Sequence, residues 1–141
     1  ANGVAKDLIE LSNSKDEFNE HLTYYHQGDI ALDTFPFSGA TTTFQALWMG
    51  LPVVSLSGKR FISRMGDSIS KHAGLGDFCA STPEEYIKIC ASLAKNLEYL
   101  SELRRNLRAQ VAKSTLCNGE LYTRNFETAL NEMWEEKYTN D

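Results

Sequence analysis

Cysteine is scarce in this chain, and what there is has no pattern. The three residues, Cys79, Cys90 and Cys117, are odd in number and show no C-x-x-C spacing. A disulfide framework is thereby excluded, and with only three histidines a zinc site is too. A basic excess is also missing: 14 lysines and arginines stand against 19 aspartates and glutamates, a net charge of −5. That balance does not fit a nucleic-acid scaffold, which needs a basic face to neutralise phosphates. No apolar run approaches the ~20 residues of a membrane span, and the first residues carry no basic-then-apolar signal pattern. The remaining reading is a globular protein of the reducing cytoplasm with no membrane and no nucleic-acid partner. Its 141 residues, 42% apolar and 23% charged, suit one domain.

The pattern along the chain alternates. Asp7–Ser12 predicts a short strand, and Ser14 with Glu17 three residues on predicts a capped helix start. That helix carries Phe18, Leu22 and Tyr25 at helical spacing and stops at Gly28. Asp29–Asp33 predicts a second strand, apolar enough to be covered on both faces of a parallel sheet. Thr41–Met49 predicts a helix closed by Gly50, and Pro52–Leu56 a third strand. Lys59–Gly74 predicts a helix broken or weakened at Gly66, and Asp77–Ser81 a fourth, edge strand. Thr82, Pro83 and Glu85 form a helix start, and Asn96 caps a second helix with Leu100, Leu103, Leu107 and Val111 on one side. A last helix bears Tyr122, Phe126, Leu130, Met133 and Trp134, with Trp134 read as packing. Strands alternating with helices, followed by helices alone, predict an α/β fold with a parallel sheet.

Chemistry concentrates in one turn. Ligands of open α/β sheets bind outside the carboxyl ends of the strands, where the next helix presents unpaired N–H groups to anions. Gly39, Ala40, Thr41, Thr42 and Thr43 occupy such a position, with a glycine for close approach and hydroxyls for phosphate oxygens. Gln45, four residues after Thr41, projects from the same helix face. Lys59 and Arg60 of the next loop place cations near the same edge, and Arg64, further on, is a candidate either to face the crevice or to pair with an acid. On local pattern alone a nucleotide cradle and an ordinary helix cap stay equally open, and His21 reads first as a solvated histidine. Arg104, Arg105 and Arg108 read as a solvated helix face.

The stretch Asp29–Leu56 goes further than a pattern. Its Asp-Ile-Ala-Leu-Asp-Thr-Phe-Pro, Gly-Ala-Thr-Thr-Thr, Ala-Leu-Trp-Met-Gly and Pro-Val-Val segments closely resemble the catalytic region of O-GlcNAc transferase-like and SPINDLY-like glycosyltransferases, including bacterial members with tetratricopeptide repeats upstream. Ser63-Arg64, Asn96–Leu100 and Phe126–Trp134 extend the resemblance over nearly the whole chain. It implies the second, nucleotide-sugar-binding lobe of a two-lobed GT-B enzyme. That Rossmann-like lobe is incomplete here: strand and helix alternate over about 1–81, terminal helices fill 82–141, and the chain is expected to be a fragment of a longer protein.

By position, the resemblance assigns Gly39, Ala40, Thr41 and Thr42 to the donor diphosphate, Gln45 to the ribose and His21 to the base, with Thr43 as a further candidate. It also implies departures. Gln45 stands where the family usually has an acid, which implies binding weaker by roughly 1–2 kcal/mol. Ala40 replaces a histidine of animal members, and Phe18 and Tyr24 replace basic residues. The implied activity is inverting, metal-independent transfer of a sugar to Ser/Thr hydroxyls, with no cofactor. The implied donor is a nucleotide sugar, a UDP-sugar (UDP-GlcNAc) first and GDP-fucose next. The catalytic base, the protein-acceptor cleft, the first lobe and the repeats lie outside this sequence, so no residue here is expected to be catalytic and the chain alone is expected to be inactive. The alternative is a non-catalytic nucleotide-binding or protein-interaction module.

Overall fold

A computed structural model describes residues 3–11 and 18–138. The expected cap at Ser14 and Glu17 lies outside the described residues. Helix α1 covers Phe18–Tyr24, and a 3-10 turn, Tyr25–Gln27, brings the chain to Gly28. Strand β1 is Ala31–Leu32, α2 is Thr41–Trp48 and β2 is Val53–Leu56. A 3-10 turn at Phe61–Ser63 leads into α3, Met65–His72, and another at Gly76–Phe78 into β3, Cys79–Ala80. Helices α4 (Pro83–Lys95), α5 (Leu97–Lys113) and α6 (Gly119–Tyr138) complete the order.

The three strands form one parallel sheet in the order β1-β2-β3. Ala31 and Leu32 align with Val53 and Val54, and Ser55 and Leu56 with Cys79 and Ala80. Central strand β2 is β-branched and buried, because helices cover both faces of a sheet whose connections are crossovers. Its Val53 and Val54 join Leu47, Leu51, Phe78, Leu93, Leu107 and Val111 in a single core. Burying a side chain of this kind contributes about 1.5–3 kcal/mol each.

Two caps act as the sequence predicts. The Thr82 hydroxyl accepts the Glu85 N–H at 3.2 Å while the Glu85 carboxylate accepts from Ser81 N–H at 2.7 Å, and Asn96 Oδ1 accepts the Tyr99 N–H at 3.1 Å. Gly50 closes α2 with φ +81°, and a Cβ there would lie 2.9 Å from the Arg104 carbonyl oxygen. A side chain at position 50 would be strained and would push α5 away.

Several expectations give way. Of the expected strand Asp7–Ser12, the described part is not a strand: Lys6–Leu8 is a 3-10 turn, the residues to Leu11 are in no sheet, and Leu8 and Leu11 are exposed. An apolar run becomes a strand only when a neighbouring strand completes its ladder, and none does so among the described residues. Strand β1 is not covered on both faces. It lies at the sheet edge with Leu32 60% exposed. The break in the Lys59–Gly74 helix falls at Arg64 (φ −122°, ψ −2°), and Gly66 is inside α3. Trp134 is 64% exposed rather than packed, as are its neighbours along α6, which buries no residue. Of the three arginines read as a solvated face, Arg105 and Arg108 are exposed, the Arg108 guanidinium lying 4.8 Å over the Trp48 ring, whereas Arg104 is half-buried and pairs with Asp29.

Candidate functional site

The carboxyl end of β1 opens into the turn that the sequence singled out. Asp33 is the first residue past the strand, and its N–H still bonds the Val54 carbonyl at 2.9 Å. Its side chain then organises the turn itself. Asp33 Oδ1 accepts the Gly39 N–H at 2.7 Å, and Oδ2 accepts the Ser55 hydroxyl at 2.9 Å. The Tyr86 hydroxyl donates to the Asp33 carbonyl at 3.2 Å. Sequence reasoning gave none of Asp33, Ser55 or Tyr86 a role here. The pairings span 22 and 53 residues of chain, so no local pattern announces them.

A second set of bonds ties the neighbouring loop to the same turn. Buried Ser38 donates from both its N–H and its hydroxyl to the Ile62 carbonyl, each at 3.0 Å, and its hydroxyl accepts the Gly66 N–H at 3.2 Å. The β2–α3 loop, which carries Lys59 and Arg64, is thereby fixed beside the turn. Both of these side chains are exposed, and neither forms an ion pair among the described residues.

Helix α2 starts without a side-chain cap, because its N-cap is Ala40. Its first backbone bond runs from Phe44 N–H to the Ala40 carbonyl at 3.0 Å, so the preceding N–H groups have no acceptor within the helix. Thr41 and Thr42 are exposed at this end. Thr43 is buried, and a Cβ at Gly39 would meet its hydroxyl at 2.5 Å and that of Thr42 at 2.7 Å. Gly39 is therefore required for space, and its N–H is spent on Asp33. The donors left for an anion are those of Ala40, Thr41 and Thr42 and the exposed hydroxyls.

One helical turn on, Gln45 meets α1. His21 Nε2 and the Tyr25 hydroxyl each lie 3.2 Å from Gln45 Oε1, and 3.3 Å from one another. The two rings meet edge to face at 5.3 Å. His21 is thus half-buried and engaged rather than solvated. Burial pushes the Tyr25 phenol up, which keeps it a neutral donor. Because Oε1 only accepts, two protons satisfy this triangle: one from Tyr25 and one carried on His21 Nε2. The Gln45 amide N–H groups have no partner in the triangle. Gln45 also lines a cavity of about 470 Å³ with Leu22, Ala40, Thr41, Phe44 and Trp48.

The remaining reactive groups serve structure. Burial, then the neighbouring Asp67, push the Cys79 thiol up to about 12, which makes it a poor nucleophile. For the Asp67 carboxyl, burial opposes ionisation, but hydrogen bonds from Lys71, Cys79 and Ser57 and the Lys71 charge hold it below its ordinary value.

An uncapped helix start at the carboxyl edge of a parallel sheet, here flanked by a histidine–tyrosine–glutamine cluster, is the place where Rossmann-like lobes in general can receive an anion. Comparison with known families agrees: residues 1–126 match the model of glycosyl transferase family 41, and the chain belongs to that family. It is 39% identical over 128 residues to a probable UDP-N-acetylglucosamine--peptide N-acetylglucosaminyltransferase SPINDLY of Hordeum vulgare, covering 91% of this chain and 13% of that protein. A UDP-N-acetylglucosamine--peptide N-acetylglucosaminyltransferase of Caenorhabditis elegans is 29% identical over 132 residues, 94% of this chain and 11% of that one. Among solved structures, a mutant O-GlcNAc transferase of Thermobaculum terrenum superposes with a TM-score of 0.75 at 38% identity, covering 83% of this chain and 22% of that chain. The chain therefore spans only about an eighth of the length of the curated relatives it matches. The α/β fold and the family expected from the sequence both hold.

Proposed function

We propose that this chain is the later part of the donor-binding lobe of a protein glycosyltransferase, which moves a sugar from a nucleotide diphosphate to Ser/Thr hydroxyls in the cytoplasm. The observation that carries the reading is the uncapped start of α2 beside Gly39. Its N–H groups and positive dipole end suit a diphosphate whose charge grows as the sugar departs. Ala40, Thr41 and Thr42 contact the diphosphate, His21 lies toward the base, and Lys59 and Arg64 approach from the adjoining loop. Gln45 addresses the ribose. With Oε1 engaged by Tyr25 and His21, it meets the ligand as a donor.

The names of the relatives favour UDP-GlcNAc as donor, and GDP-fucose is the competitor. No catalytic residue is assigned within this chain, whose role is to hold the leaving group. The partners in this reading are a first catalytic lobe and a repeat region of the same protein, through which an acceptor protein is engaged. Calorimetric titration with UDP, GDP and their sugars tests this: UDP binding without donor turnover is expected of the 141-residue chain. Absence of binding to any of them at millimolar ligand favours a protein-interaction module instead, and turnover by this chain alone overturns the half-site reading.

A further inference from the structure

Asp33 stands at the centre of the site without facing outward, and nothing in the nucleotide reading uses it. Four contacts converge on this one residue. Its carboxylate accepts the Gly39 N–H at 2.7 Å and the Ser55 hydroxyl at 2.9 Å, and its carbonyl accepts the Tyr86 hydroxyl at 3.2 Å. The fourth is steric: a Cβ on Gly66 would collide with Asp33 Oδ2 and lie 2.8 Å from Ser55 Oγ. Ser55 of β2 bonds the carboxylate, Gly66 of α3 leaves room for it, and Tyr86 of α4 holds the backbone of the same residue, while the carboxylate holds the turn through Gly39.

We propose that Asp33 is a positioning residue, which sets the conformation of the Ser38–Ala40 turn and through it the aim of the α2 N–H groups at the donor diphosphate. The proposal rests on the nucleotide reading above. It runs against simple electrostatics, because a carboxylate beside a diphosphate site repels the ligand. A negative group at this place is therefore there for its two acceptor oxygens, not for its charge. Ser55 is 1% exposed and presents a fixed donor on the central strand, so one oxygen is anchored to the sheet while the other holds the loop. The placement of the turn is in this way referred to the buried central strand of the sheet.

Separating placement from charge requires Asp33→Asn, Asp33→Ala and Ser55→Ala in the 141-residue chain. Asparagine keeps the geometry: its carbonyl accepts the Gly39 N–H, and its amide donates to Ser55 Oγ, which turns from donor to acceptor. UDP affinity is read by calorimetry, the Gly39 amide by hydrogen exchange in NMR, and folding by thermal melting. Asp33→Asn is expected to keep Gly39 protected and UDP affinity at or above the parent's. Asp33→Ala is expected to weaken UDP by about tenfold or more and to speed Gly39 exchange, with Ser55→Ala between the two. Parental exchange and affinity in Asp33→Ala overturn the proposal, and so does a loss in Asp33→Asn as large as in Asp33→Ala. If the parent binds no UDP, the nucleotide reading fails on its own. The exchange rates then decide the role of Asp33: faster exchange in Asp33→Ala with protection kept in Asp33→Asn supports it, and equal rates overturn it. If Asp33→Ala does not fold, a parental Gly39 exchange rate in Ser55→Ala overturns the proposal and a faster one supports it.

Discussion

A glutamine at position 45 has its carbonyl oxygen engaged by Tyr25 and His21 before any ligand arrives. A glutamate there would give one oxygen to that pair and keep the other for ribose hydroxyls. Gln45→Glu is therefore expected to tighten UDP about tenfold, measured by calorimetry, with unchanged affinity counting against the ribose assignment. Asp67 gives a pH signature. Its carboxyl sits below the ordinary carboxylate value when folded, so its stabilisation is present above the unfolded pKa and is lost as pH falls through the folded one. Melting temperature should fall as pH drops below about 4, and less steeply in Asp67→Asn. At this scale the sequence was partly legible. Gly39, Thr41, Thr42 and Gln45 stand out because their neighbours along the chain make the pattern. Asp33 does not, because its meaning depends on Ser55, Gly66 and Tyr86 arriving from three other elements.

Elements were legible where their signals are local. Helices α4 and α5 begin where Thr82, Pro83 and Asn96 place their caps, and α2 ends just before Gly50, since caps act within one turn. Thr82→Ala removes such a cap and is expected to cost about 1 kcal/mol in urea denaturation. The strands were harder. Asp7–Ser12 and Asp29–Asp33 look alike as apolar runs, yet among the described residues only the second finds a partner, in β2. Whether a strand is central or at an edge depends on its neighbours, which periodicity cannot report. The exposure of Leu32 could not be read for that reason.

For the molecule as a whole, the terminal helices divide by what they bury. Helix α5 places Leu107 and Val111, both at 0% exposure, in the core beside the sheet helices. Leu107→Ala is expected to cost about 2–5 kcal/mol. Helix α6 buries nothing, so removing residues 119–141 should change the urea midpoint little. A large drop in that midpoint would show that α6 contributes to this core after all.

The contact at Gly50 has a bearing on how the proposed anion site tolerates change. The helix whose first residues are proposed to meet the donor has its last residues pressed on α5, through Gly50 against Arg104 and Trp48 under Arg108. Helix α2 is thus registered at both ends, by Asp33 at the start and by α5 at the finish. Being only eight residues long, it has little length over which to absorb a shift. On the proposed reading, a displacement of α5 is expected to be felt at the threonines. The unit that holds the donor would then extend to Lys113, well past the last strand, and substitutions along α5 are expected to alter UDP affinity from a distance.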